Sequence, residues 1–132
     1  ALQHKGTDML MYYDARYISV SSYGGFYDVA TREPSCVYYA FKAFGELYAL
    51  GNEVESKCAK DGIYSVAARS GDKKAIILSN TKEDARIISN IPEDFCAYII
   101  DKDHFLTKAE INPKEFILKE NTVVLFKNYS DI

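Results

Sequence analysis

The hydrophobic pattern of this chain changes its period once, at Gly51, and that switch decides what the chain can fold into. Upstream, over residues 35–50 (SCVYYAFKAFGELYAL), apolar side chains recur at Val37, Ala40, Phe41, Phe44, Leu47 and Tyr48. This is the i, i+3, i+4, i+7 spacing of a single helix face. Pro34 suits a first helical turn, and Gly51 suits the position just past a helix end, where a residue without Cβ tolerates positive φ. Gly45, which costs about 1 kcal/mol relative to alanine inside a helix, is read as marking a close helix–sheet contact. Downstream the period is two. Ile63–Arg69 and Lys73–Asn80 flank a hairpin turn at Ser70-Gly71-Asp72, with glycine available for positive φ. Further strands fit Ala85–Ser89, Phe95–Asp101, Glu115–Leu118 and Thr122–Lys127, separated by polar turns. Six or seven short strands spaced in this way are the pattern of an antiparallel sandwich. The predicted fold is therefore mainly β: an antiparallel β-sandwich over residues 52–132, with an N-terminal extended segment and one amphipathic α-helix packed on it. The helix is expected to bury Phe41, Phe44, Leu47 and Tyr48.

Composition reinforces the division at Gly51. Of the 18 aromatic residues, none of them Trp, 11 fall within residues 1–51. Asp8–Val20 reads as extended, and its apolar run Met9–Tyr13 as a strand buried on both faces, as in a parallel sheet. A loop follows at Ser21–Gly25, then a short extended stretch at Phe26–Val29. One strand–loop–helix unit cannot build a parallel sheet alone, because its strand needs parallel neighbours. Residues 1–51 thus read as the end of something larger.

With 132 residues the chain is one domain in size, long enough to bury a real core. Sixteen Lys and Arg against nineteen Asp and Glu give a net charge of -3, which is no footprint for nucleic acid or an anionic membrane surface. No apolar run approaches the roughly 20 residues of a membrane span, and no signal-peptide pattern opens the sequence. The compartment stays open, cytoplasmic and secreted alike. Three cysteines, Cys36, Cys58 and Cys96, without a CxxC pair argue against a disulfide scaffold and a zinc site. Cys36 and Cys96 are expected as small core residues and Cys58 as partly exposed.

Three stretches carry a family resemblance: Met9–Arg16 (MLMYYDAR), Tyr23–Asp28 (YGGFYD) and Tyr38–Leu50 (YYAFKAFGELYAL). Together they resemble the last βα unit of a (β/α)8-barrel glycoside hydrolase of the β-xylosidase/α-L-iduronidase-like group. Residues 52–132 are similar to the β-sandwich that follows the barrel, closing with Ala97–Lys108 (AYIIDKDHFLTK) and Phe116–Lys127 (FILKENTVVLFK). The resemblance implies a non-catalytic C-terminal accessory domain. The two carboxylates of such hydrolases sit on barrel strands four and seven, and this chain begins at what would be strand eight. Its partner would be the barrel catalytic domain of the same parent chain, with no cofactor. Self-association through the barrel-facing surface is expected when that barrel is absent. The sequence departs from the pattern at Tyr23, where relatives tend to have Trp, and at Tyr17, where Pro is common.

Candidate sites divide between chemistry and plain packing. Tyr12, Asp14, Arg16, Tyr23 and Asp28 supply the aromatic faces and polar groups of a carbohydrate-contacting surface, and Asp14 and Arg16 would face the active-site end of a barrel strand. The alternative function is accordingly a weak carbohydrate-binding module built on this Tyr-rich segment. The other reading is that these tyrosines pack the loop against the helix. Asp101, Asp103 and His104 form an acidic and imidazole group next to a strand end, but the further ligands of a calcium loop are missing, and a polar turn explains the same residues. No nucleophile–base pair and no phosphate loop are present, so no catalytic residue is predicted. Lys73, Lys74, Lys82, Glu83, Asp84, Arg86, Glu93 and Asp94 mix both signs, as a solvated exterior does.

Overall fold

The computed structural model describes Met11 and residues 25–130. Apart from Met11, the expected extended segment Asp8–Val20 lies outside the described residues.

Helix α1 (Cys36–Leu50) starts and stops where local chemistry requires. Ser35 is its N-cap, in extended backbone, but its hydroxyl donates to the Gly25 carbonyl at 2.8 Å instead of capping the helix. Pro34 stands just outside the helix rather than in its first turn, bridging to Tyr27. At the other end Gly51 takes φ 82° and its N–H donates to the Tyr48 carbonyl at 3.1 Å. This left-handed stop turns the chain straight into β1 (Asn52–Val54).

The strands are β2 (Ile63–Ser70), β3 (Lys73–Asn80), β4 (Ala85–Ile88), β5 (Cys96–Ile100), β6 (Phe105–Ala109), β7 (Glu115–Leu118) and β8 (Thr122–Lys127). Among the described residues all strand pairings are antiparallel. Six strands form one sheet in the order β1-β2-β3-β8-β5-β6, and β4 pairs with β7 in a second. The mainly β sandwich with one packed helix is thus the fold found. The β2–β3 hairpin closes through Gly71 at φ 55°. Two strands exceed the expectation. β1 is too short to show alternation, and β6 is broken by Leu106 at φ 59°, beside a register shift at Ile99/Ile100. Such a bulge inserts a residue into the pattern and erases the period of two.

The larger sheet is covered on both faces, giving three layers. On one face Ile63, Leu78, Ala97, Val124 and Phe126 pack with Ala85, Ile87, Phe116 and Leu118 of the small sheet, joined by Ile91 and Phe95. Phe116 and Phe126 lie 5.2 Å apart between ring centroids. On the other face Ala68, Ala75, Ile77, Ile100 and Leu125 pack with Ala43, Leu47 and Leu50 of α1. Central strand β8 therefore buries Val124, Leu125, Phe126 and Lys127 in succession. Buried Asn80 fastens the two sheets together. Its side-chain amide donates to the carbonyls of Glu83 and Leu118, at 2.9 Å each, and its oxygen accepts from Lys82 N–H at 3.0 Å.

The expected helix face is corrected in part. Leu47 is buried, but the side chains of Phe41, Phe44 and Tyr48 face outward. At about 100° per residue the docked stripe, Ala43 with Leu47 and Leu50, lies roughly 130° around from the aromatic one. Small side chains explain the choice: Ala43 over a surface that includes Ala68 and Ala75 lets the helix come close, where aromatic rings would hold it off. Gly45 is likewise corrected, since a Cβ built there meets nothing within 4 Å and the residue is exposed. Its place is on the open side, not at the sheet.

Replacing Asn80 by Ala leaves the Leu118 carbonyl and two neighbouring backbone groups without their partner. The variant should lose about 1–3 kcal/mol of stability, read as a lower urea midpoint with an unchanged m-value.

Candidate functional site

A helix that docks through alanine and leucine while presenting aromatic rings outward is the reverse of the ordinary arrangement. Tyr48 is 82% exposed, Phe44 52% and Phe41 39%. Around the N-terminal half of α1 the rings form a connected chain. Phe41 meets Phe26 at 5.0 Å between centroids, Phe26 meets Tyr38 at 6.5 Å, and Tyr38 meets both Tyr27 at 5.9 Å and Tyr39 at 5.2 Å. Tyr39 continues to Phe105 of β6 at 5.6 Å. Edge and tilted contacts of this kind each add about 0.5–1.5 kcal/mol to area burial. They fix the segment entering α1 against the helix and leave Phe44 and Tyr48 as the open end of the stripe.

Beneath the helix lies the least expected group of the molecule. Lys127 has no exposed surface. Its sheet neighbours are Ala75 and Cys96, with Ala68 one strand further, and these short side chains leave room for its long one. Its ammonium lies 3.1 Å from Glu46 Oε2 on α1. The Tyr129 hydroxyl donates to the same oxygen at 3.2 Å. The rings of Tyr129 and Tyr98 stand 4.6 Å and 5.4 Å from Nζ, within cation–π range. A lysine removed from water is tolerated when paired and hydrogen-bonded in this way. Sequence reading passed over it because Lys127 closes an apolar strand, where a lysine ordinarily reaches solvent. The available signal was alternation: Val123, Leu125 and Lys127 share one face of a strand whose other face is also apolar.

Of the carbohydrate-contacting residues proposed from sequence, Asp28 lies among those described. Tyr12, Asp14, Arg16, Tyr17 and Tyr23 lie outside the described residues. The Asp28 carboxylate accepts from Thr31 N–H at 2.7 Å, Ala30 N–H at 2.9 Å and the Thr31 hydroxyl at 3.1 Å. These bonds, the Thr31 and Ala30 amides foremost, hold it below the usual carboxylate range. It closes a turn. Asp101 does the same at the β5–β6 hairpin. Its Oδ1 accepts from the N–H groups of Asp103 and His104, each at 2.9 Å, and lies 2.7 Å from His104 Nδ1. Burial pushes this carboxyl up, but the bonds from Asp103 and His104 outweigh it and bring it below its ordinary value. Among the described residues no group of three His, Cys, Asp or Glu side chains is arranged to hold a metal.

The cysteines are free and all partly buried. Cys36 donates to the Asp101 carbonyl at 2.9 Å, tying the start of α1 to the β5–β6 turn, and burial pushes its thiol up, away from reactivity. Cys58 packs against the sandwich core. A depression of about 320 Å³ is lined by Arg86, Asn112, Glu115, Phe116 and Ile117. Its one carboxylate is taken by Arg86, whose Nε lies 2.8 Å from Glu115 Oε1. No helix among the described residues is long and apolar enough to cross a membrane.

No family model matches the chain, and no curated protein does. Solved structures share its fold. A glycoside hydrolase family 30 subfamily 8 xylanase from Clostridium acetobutylicum superimposes with a TM-score of 0.60 at 17% identity, over 78% of this chain and 30% of that one. A GH30 endoxylanase from Clostridium papyrosolvens C71 gives 0.59 at 13% identity, over 79% and 30%. At such identities the likeness is one of fold. The chain folds as a part of these glycoside hydrolases does, and it spans less than a third of their length.

Two variants probe the polar groups described above. Lys127→Met alone leaves the Glu46 carboxylate under the helix without its cation and should cost about 3–5 kcal/mol; adding Glu46→Leu should recover most of that loss in urea denaturation. Asp101→Ala should cost about 1–3 kcal/mol at pH 7. Because the folded carboxyl titrates below its unfolded value near 3.9, its contribution is whole above that pH and lost as pH falls through the folded value. The gap between wild type and variant should therefore close on acidification.

Proposed function

We propose that this chain is a non-catalytic C-terminal β-sandwich domain of a glycoside hydrolase, whose helix presents an aromatic face to the barrel of the same parent protein and so supports it. The observation that carries the reading is the two-sidedness of α1. Its inner stripe is sealed onto the six-stranded sheet, while Phe44 and Tyr48 stand open on the other side. An aromatic face on an otherwise packed helix is the mark of a surface that meets another apolar one. The fold likeness to two xylanases of which the chain spans 30% supports a barrel as that surface, and the resemblance of residues 1–51 to a last βα unit agrees with it. Sugar binding by the Tyr-rich segment has no such support, since Asp28, the one member of that set among the described residues, is engaged in its own turn.

The whole chain, purified, should give no turnover on aryl β-xylosides. Xylo-, manno- and cello-oligosaccharides at millimolar concentration should move no NMR resonances. Hydrolysis that tracks the chain through purification overturns the non-catalytic reading. Shifts confined to residues 12–28 replace it with the carbohydrate-binding one. With no barrel to cover the helix, we expect self-association in sedimentation velocity as concentration rises, abolished by Phe44→Glu with stability changed by less than about 0.5 kcal/mol. A wild type that stays monomeric removes the pairing.

A further inference from the structure

We draw no further inference here: the strongest candidate, the outward face of the two-stranded sheet, where Ile88 and Ile117 stand exposed beside the Arg86–Glu115 ion pair, carries nothing, because nothing in the structure shows what covers it.

Discussion

A lysine with no exposed surface, set in the middle strand of a six-stranded sheet, constrains everything laid over it. Its ammonium meets the Glu46 carboxylate of the helix, so a charge contact lies beside the Ala43, Leu47 and Leu50 stripe that docks α1 on the sheet. Small residues around Lys127 make the space, two tyrosine rings line it, and Glu46 closes it. The helix docks through hydrocarbon with the Glu46–Lys127 contact beside it, and the two sheets meet through hydrocarbon, with Asn80 as their polar clamp.

That division explains what the sequence makes legible. Strands β4 and β7 of the small sheet announce themselves through alternation, and β2, β3, β5 and β8, covered on both faces, through short runs bounded by polar turns. The end of α1 follows from Gly51, because a left-handed stop is local chemistry. The face of α1 is not local. Apolar periodicity supports two stripes on the same fifteen residues, and the richer one, Phe41 with Phe44 and Tyr48, is the natural reading of a pattern that counts only hydrophobicity. The small surface α1 docks on, Ala68 and Ala75 with Ile77, Ile100 and Leu125, belongs to strands further along, and no window on the helix contains it. β6 escapes the pattern for a different reason, a positive-φ Leu106 that adds one residue to the count.

The candidate site follows the same logic. Polar clusters close in sequence, Asp28 with Thr31 and Asp101 with Asp103 and His104, attract attention as chemistry. Residues two and three apart, however, are what a carboxylate uses to close a turn on backbone amides. Both carboxylates here do so. Depressed carboxyls at such places report hydrogen bonding, not readiness for acid–base work. Glu115 in the depression lined by Arg86, Asn112, Phe116 and Ile117 is likewise engaged, its carboxylate paired with Arg86.

An outward aromatic stripe is costly for a chain standing alone, because it invites association. A buried ion pair costs desolvation and yields little net stability on its own, so the docking of α1 rests on the stripe of Ala43, Leu47 and Leu50 against the sheet. The same choice of small and branched side chains that lets the helix approach on one side leaves Phe44 and Tyr48 open on the other.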